Sequence, residues 1–261
     1  VNANLSVDLA TISIVGDISR SEAVNAFKQL VDRWDEKAVT VPFDIVPEPN
    51  KTGKVYFVDV PNAKQSEIRV GYISIPRTHS DFFPLTMVNM NLGAHPGSLF
   101  ETVLRGKKGF TYAARSYFTG SKLSGMYYVS TGVRSNSTEE SLLTINNILS
   151  NYRETISDED LEYSKNMELK SYARRFETLG ALRGMISNIA MYKLPFDYIK
   201  DQEDMVRKMT VESHNVLTKK YIRPDEMIYL VVGDAATQLK GLKSLGYGDP
   251  ILLDENGNPV K

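Results

Sequence analysis

Residues 89–112 read NMNLGAHPGSLFETVLRGKKGFTY, and this stretch decides the fold. It predicts the end of an apolar helix that Asp81 opens, then a glycine loop over 93–97, a second helix and the start of a strand. Ser98 is a residue type that caps helix N-termini well. One apolar stripe follows it on the second helix, made of Leu99, Val103 and Leu104.

Short strands and helices flank this stretch on both sides. Strands are predicted at 55–57, 68–75, 110–118, 126–134 and 229–232. Helical periodicity follows over 138–152, 158–192 and 211–221. Paired antiparallel strands with helices collected between and after them are typical of α+β proteins. The sequence therefore predicts an α+β fold, with one mainly antiparallel sheet and helices on one face.

The triplet Val-Gly-Asp occurs twice, starting at Val15 and at Val232. Each copy follows a short apolar run and precedes an amphipathic helix, and Ser19 can cap the first of these helices. The similarity has two interpretations, a repeated domain or a common turn that occurs twice by chance. On the repeat interpretation, residues 1–36 are the last strand and helix of a preceding homologous domain. Residues 37–52, which contain three prolines, are then a linker, and 53–261 are the C-terminal domain.

Composition excludes several classes of function. The 261 residues include 31 Lys plus Arg against 32 Asp plus Glu, so no single-sign field attracts nucleic acid. There is no cysteine, and hence no thiolate zinc site and no cysteine nucleophile. No window approaches the roughly 18 apolar residues of a membrane span. The start at Val1 lacks the features of a signal peptide, so we interpret the chain as a fragment or processed product of a soluble protein, cytoplasmic or periplasmic.

Few residues offer metal or nucleophile chemistry. The chain has three histidines, His79, His95 and His214, and none belongs to an H-x-x-E-H or H-E-x-x-H motif. The sequence also lacks a nucleophile elbow and a Ser-x-x-Lys signature. We expect His79 and His95 to be exposed in loops, and His214 to be a surface or half-buried side chain on a helix. The sequence predicts no metal site in this chain.

Residues 89–112 resemble the second-domain signature of the pitrilysin/insulinase-like zinc peptidases, the family that includes mitochondrial processing peptidase. The matching pairs, in family order, are Leu92-Gly93, Ser98-Leu99, Leu104-Arg105, Lys108-Gly109 and Thr111-Tyr112. The departures are Ala94 in place of a glycine, no arginine between Ser98 and Leu99, and Gly106 where an acidic residue is common. The resemblance extends over about 53–246. It implies the metallopeptidase half-domain of the pitrilysin/processing-peptidase fold.

The resemblance also implies that two domains have different roles, one binding zinc and the other contacting the substrate. An arginine and a tyrosine spaced as Arg105 and Tyr112 contact the carbonyl and oxyanion of a peptide substrate in this family. The zinc is then expected in an upstream domain or partner subunit that carries H-x-x-E-H, and this fragment alone is expected to bind no cofactor and to be inactive. Gly93, Gly97 and Ser98 are expected to form a substrate-binding loop.

Other interpretations stay open. Arg105 lies four residues after Glu101, so it fits a solvated helix ion pair worth about 0.2–0.5 kcal/mol. By strand alternation Tyr112 shares one face with Phe110, Ala114 and Phe118, and it fits a core position with its hydroxyl bonded locally. For the whole chain, the alternative to a peptidase half is a non-catalytic structural or peptide-binding homologue of the same fold, which the departures in the loop favour.

Overall fold

The computed structural model describes residues 6–34, 38–39, 48–49, 51–153 and 156–260. The chain divides into two compact units, which are described separately. The smaller unit comprises Val1–Ile45 and Met167–Glu203, and the larger comprises Val46–Asn166 and Asp204–Lys261. The larger unit carries all six strands and every candidate site residue.

A six-stranded mixed sheet forms the framework of the larger unit. Its strands are β1 (Lys54–Asp59), β2 (Gln65–Ser74), β3 (Thr111–Gly120), β4 (Gly125–Arg134), β5 (Ile228–Gly233) and β6 (Ile251–Leu253). Their spatial order is β3-β4-β2-β5-β1-β6. The pairings β3–β4, β4–β2 and β2–β5 are antiparallel, whereas β5–β1 and β1–β6 are parallel. The prediction of an α+β fold with a mainly antiparallel sheet is confirmed, although β6 was not predicted.

The α-helices separate into those of the smaller unit, those of the larger unit, and two that cross the boundary. In chain order they are α1 (Arg20–Arg33), α2 (Phe82–Asn89), α3 (Thr138–Tyr152), α4 (Asp158–Ser171), α5 (Leu179–Tyr192), α6 (Tyr198–Lys208), α7 (Val211–Tyr221) and α8 (Ala235–Gln238). Two π-helices, Met90–Ala94 and Glu101–Lys107, flank the glycine loop. No helix in the described part of the chain is long and apolar enough to span a lipid bilayer.

Burial alternates along the strands. In β2, Ile68 and Val70 are fully buried, whereas Glu67 and Arg69, which alternate with them, are exposed. Successive strand side chains point to opposite faces, so one face of the sheet carries the core. Apolar side chains of α3 belong to the same buried cluster as those of β2, namely Leu142, Ile145 and Leu149. The predicted placement of the helices on one face is therefore correct. On the opposite face, which we call the open face, the described side chains of β2 are exposed or half-buried.

The prediction of one helix over 158–192 is wrong. The segment forms α4, a 3-10 turn over Ala173–Phe176 and then α5. The Thr178 hydroxyl accepts a hydrogen bond from the N–H of Ala181 at 3.1 Å, which caps a new helix N-terminus. By contrast, α3 and α7 have the predicted bounds.

The N-terminal segment contains a capped helix but no strand. Ser19 and Glu22 form a reciprocal capping box at the start of α1, as the Ser19 cap predicted. The strand expected at 12–15 is absent, and Ile12 and Ile14 are 46% and 37% exposed. The assignment of 1–36 to a preceding domain and of 37–52 to a linker stays a prediction. Most of that linker lies outside the described residues.

On both edge strands of the sheet, backbone carbonyl groups already accept hydrogen bonds from within the chain. On β3, the Ser116 carbonyl accepts a hydrogen bond from the Asn89 side-chain amide at 2.7 Å, and Arg115 donates to the Ala114 carbonyl at 3.2 Å. On β6, the N–H of Val260 donates to the Leu252 carbonyl at 2.9 Å. Such contacts block the pairing of another strand with an edge.

Candidate functional site

Arg105 and Tyr112 lie side by side on the surface of the larger unit. Arg105 belongs to the second π-helix, and Tyr112 to the start of β3. The chain turns between them at Gly109, whose φ of +63° is in the left-handed region that glycine adopts without steric cost. The guanidinium carbon of Arg105 lies 5.1 Å from the centroid of the Tyr112 ring, within cation–π range. The structure thus brings the two predicted site residues together.

A β-bulge turns Tyr112 towards solvent. The pairs on either side of the bulge are Thr111 with Val133 and Ala114 with Thr131. Tyr112 and Ala113 therefore both lie opposite Gly132, and the extra residue reverses the alternation of side chains. Tyr112 is 86% exposed, whereas Ala114 is fully buried. The alternative that Tyr112 fills the core beside Ala114 is wrong for this reason.

Two threonine hydroxyls hold the bulge. The hydroxyl oxygen of Thr111 lies 2.7 Å from the Gly132 carbonyl oxygen and accepts a hydrogen bond from the N–H of Ala113 at 3.1 Å. The Thr131 hydroxyl lies 2.9 Å from both the Thr111 hydroxyl and the Ala113 carbonyl oxygen. These bonds satisfy backbone groups that the interrupted strand ladder leaves without a partner. The position of Tyr112 is therefore set by its neighbours.

A buried carboxylate positions Arg105. Glu101 is 7% exposed, and its Oε1 atom lies 2.7 Å from a terminal nitrogen of Arg105. The other oxygen of Glu101 is paired with Arg115 of β3. The predicted ion pair between Glu101 and Arg105 thus exists, but its carboxylate is withdrawn from solvent and shared by two guanidinium groups. Glu101 thereby links the second π-helix to β3. No sequence pattern points to Arg115, because the contact depends on how β3 packs.

The exposed ends of Arg105 and Tyr112 have unused hydrogen-bonding capacity. The Arg105 side chain is 49% exposed, and its bond to Glu101 involves one of its terminal nitrogens. The Tyr112 hydroxyl has no hydrogen-bond partner in the described part of the chain. A guanidinium has five N–H donors and a phenol has one O–H donor, so the pair can hold an oxygen atom of a ligand. This is the arrangement that binding a carbonyl oxygen or an oxyanion requires.

The three residues of the predicted substrate-binding loop do not share one surface. Gly93 is buried, and a Cβ atom there would lie 2.1 Å from the Ser116 hydroxyl oxygen. Ser98 is 1% exposed, and its hydroxyl has no hydrogen-bond partner among the described residues. Gly97 is exposed, with a φ of +90°. Substrate binding by this loop stays a prediction, and Gly97 is its accessible member.

Two of the three histidines are more buried than expected. His214 is fully buried beside Tyr152 and Thr218, and burial lowers its pKa to about 4. His95 is 7% exposed, with its ring centroid 5.6 Å from that of Tyr163. The expectations for these two side chains are wrong, because packing buries both. Within the described ranges, no three histidine or carboxylate side chains converge as metal ligands.

Sequence and structure comparisons place the chain among known proteins. A family model described as the peptidase M16 inactive domain matches residues 1–168. The peptidase M16 inactive domain from Pseudomonas fluorescens is 22% identical, with 86% of this chain and 53% of that chain covered and a TM-score of 0.76. A protease from Helicobacter pylori is 17% identical, with coverages of 84% and 53% and a TM-score of 0.74. The periplasmic protease PqqL from Escherichia coli is 14% identical, with coverages of 84% and 25% and a TM-score of 0.66. No curated protein matches the chain.

At these identities the similarity to solved structures shows the fold alone. The chain spans about half the length of the Pseudomonas and Helicobacter proteins, 53% in each case. The family model, in contrast, covers more than half of this chain. The fold, the 89–112 signature and the family match agree. The chain therefore belongs to the peptidase M16 inactive-domain family, as a C-terminal, non-zinc domain of the pitrilysin-like type.

Proposed function

We propose that this chain is the C-terminal half of a zinc-dependent metalloendopeptidase, and that it closes over an upstream or partner H-x-x-E-H domain to bind and cleave peptides. The observation that carries the proposal is the exposed pair of Arg105 and Tyr112. The two side chains adjoin, a bulge and a buried carboxylate support them, and the phenol has no partner in the described residues. A purely structural tyrosine would bury its ring and bond its hydroxyl internally.

The pair would hold the carbonyl group of the scissile peptide bond while that bond is cleaved. Zinc, which polarises a carbonyl and activates water when bound, would be held by the other domain, because the described residues of this chain lack a ligand set. The Tyr112 hydroxyl would donate to the oxyanion that forms at the attacked carbon. Arg105, whose guanidinium is positioned by its ion pair with Glu101, would bind a carbonyl oxygen in both the ground state and the transition state.

The test uses the full-length protein, including its H-x-x-E-H domain, with a quenched fluorescent peptide. Tyr112→Phe removes one oxyanion donor and should lower kcat by about 10²–10³-fold, with a smaller change in KM. Arg105→Ala should lower kcat and also raise KM. Tyr163→Phe is the matched control, because this tyrosine is also exposed, at 51%, but lies on α4. An unchanged kcat for Tyr112→Phe would remove the catalytic assignment.

The second candidate is a non-catalytic structural or peptide-binding homologue. Ala94 and the missing arginine after Ser98 favour it, together with the burial of Gly93 and Ser98, two of the three residues expected to bind substrate. The protein sequence upstream of this chain, or that of a partner subunit, discriminates the two. An H-x-x-E-H motif followed by a further glutamate supports the peptidase. If the motif is absent from both, the binding module is the better description.

A further inference from the structure

The open face of the sheet carries an apolar patch. Tyr117 of β3 pairs with Tyr128 of β4, and their ring centroids lie 5.1 Å apart. Met126 of β4 pairs with Ile73 of β2 in the adjoining row. We refer to Tyr117, Met126, Tyr128 and Ile73 as the aromatic patch. Tyr117 is 42% and Met126 52% exposed, so large apolar side chains here face solvent in the larger unit.

Gly71 makes room for the patch. It pairs with Tyr128, and a Cβ atom at Gly71 would lie 2.7 Å from the Tyr128 Cβ atom and 2.2 Å from the Tyr127 carbonyl oxygen. A larger residue at 71 would therefore displace Tyr128 from the sheet surface. Because glycine has no side chain, β2 has a shallow depression beside the two tyrosine rings.

A polar row separates the aromatic patch from Tyr112. It consists of Arg115, Ser130 and Arg69, on β3, β4 and β2 in turn. Arg115 is paired with Glu101, and Arg69 lies 3.2 Å from Glu67. Both guanidinium groups contact a carboxylate, and that of Glu101 is shared with Arg105, so this row is polar and offers no apolar surface to a ligand. On these three strands, the nearest surface that can bind an apolar side chain is the aromatic patch.

The spacing between Tyr112 and the patch fits an extended peptide. Five positions separate Tyr112 from Tyr117, and the bulge absorbs one of them. Four regular strand steps span about 14 Å at roughly 3.4 Å each. A peptide lying along β3 in extended form covers this distance with about four residues. Side chains four positions apart in an extended chain point the same way, so both can face the sheet.

We propose that the aromatic patch binds an aromatic or branched aliphatic side chain of a peptide, about four residues away from the carbonyl held by Arg105 and Tyr112. The position of that carbonyl rests on the proposed function, whereas the apolar binding site does not. The peptide lies across the open face, because carbonyl groups of both edge strands are already occupied at Ala114, Ser116 and Leu252. The patch is continuous with the proposed site along β3.

The test is photo-crosslinking to the 261-residue chain, which requires no cleavage. The probe is a biotinylated ten-residue peptide of glycine, serine and alanine with one p-benzoylphenylalanine. We expect the cross-link in peptides from β3 and β4, around Met126. A competing peptide with phenylalanine at that position should reduce cross-linking at a concentration about tenfold below that of its serine counterpart.

Variants separate the patch from the catalytic pair. Tyr117→Ser should abolish the preference for phenylalanine, whereas Phe196→Ser, at a 92% exposed position in the smaller unit, should not. Tyr117 is exposed, so its variant should stay folded, as circular dichroism checks. Tyr112→Phe should keep the preference for phenylalanine over serine, because that preference depends on the patch and not on the carbonyl. Full-length protein without peptidase activity but with this cross-link would refute only the proposed function.

Three outcomes would overturn the inference. The first is a cross-link outside β2, β3 and β4, and the second is a phenylalanine preference that survives Tyr117→Ser. The third is a dimer of the wild-type chain, seen by sedimentation, that Tyr117→Ser converts to monomer. In that case the patch is an interface between two copies of this chain.

Discussion

Gly93 lies so close to Ser116 that a Cβ atom built on Gly93 would come within 2.1 Å of the Ser116 hydroxyl oxygen and 2.6 Å of its backbone nitrogen. This approach lets the first π-helix cover β3 at the point where Asn89 bonds the Ser116 carbonyl. Glycine at 93 is therefore a packing requirement of this chain.

We expect Gly93→Ala to lower the free energy of unfolding by about 1–3 kcal/mol, the usual cost of overpacking. Urea denaturation measures the change. Gly184→Ala is the matched control, since a Cβ atom there meets nothing within 4 Å and the residue lies inside α5. That variant should be neutral or stabilising by up to about 1 kcal/mol. Equal effects of the two variants would contradict the packing role.

The bulge at Tyr112 should depend on the Thr131 hydroxyl. Thr131→Val keeps the shape of a 3% exposed side chain but removes the hydrogen bonds to Thr111 and Ala113. We expect a loss of about 1–3 kcal/mol in the free energy of unfolding. Thr119→Val, at an exposed position of β3, should change stability by less than about 0.5 kcal/mol. A neutral Thr131→Val would mean that the bulge forms without this hydroxyl.

Glu101→Gln should destabilise the larger unit through two arginines at once. The substitution removes the charge that both Arg105 and Arg115 contact from within a nearly buried site. We expect a cost of about 1–3 kcal/mol by thermal or urea denaturation. The control is Glu162→Gln, which breaks a pair with Lys165 whose glutamate side chain is 60% exposed. An exposed pair is worth less than about 1 kcal/mol, so a larger effect at Glu162 would contradict the argument from burial.

Stability should fall as the pH drops from about 6.5 to about 4, owing to His214. Burial holds the pKa of His214 near 4 in the folded chain, below the ordinary value of 6.5. Between these values the unfolded chain binds a proton that the folded chain does not, so folding is disfavoured by up to about 3 kcal/mol. His214→Phe should flatten the pH dependence of the unfolding free energy in this window. An unaltered profile would show that His214 is not kept neutral by the fold.

Asp81 should affect the free energy of unfolding at lower pH than His214 does. A hydrogen bond from the Tyr221 hydroxyl holds the pKa of Asp81 below its ordinary value of 3.8, with Lys220 adding to the effect. The ionised carboxylate therefore contributes stability that is present above 3.8 and is lost as the pH falls through the lowered pKa. Asp81→Asn should change the pH profile only in this acid range, whereas His214→Phe should change it above pH 4.

Much of the framework follows from local patterns. Helical periodicity predicted α3 and α7 with their observed bounds, and short apolar or alternating stretches predicted five of the six strands, β1 to β5. These elements depend on signals within a few residues, such as apolar spacing and a capping hydroxyl. The break between α4 and α5 was missed because Thr178 resembles any mid-helix threonine until its cap is seen.

The supports of the candidate site could not be predicted in the same way. The bulge leaves no mark in the sequence, because neither Tyr112 nor Ala113 is a residue type that announces one. The Glu101–Arg115 pair joins residues on different elements, and the burial of His214 arises from packing against α3. Each is a property of tertiary contacts. The family resemblance located Arg105 and Tyr112, whereas the structure shows what holds them in place.

Carbonyl groups on the edge strands already accept hydrogen bonds, and this determines how the domain would distinguish one peptide from another. A peptide that extends a sheet is recognised mainly through its own backbone amides, so N-methylation of those amides abolishes binding. The carbonyl groups of Ala114, Ser116 and Leu252 already accept hydrogen bonds, so they are not available to the amides of a peptide. A ligand on the open face is instead recognised through its side chains. Backbone-methylated and proline-containing peptides should therefore bind this domain as well as ordinary peptides of the same side-chain pattern.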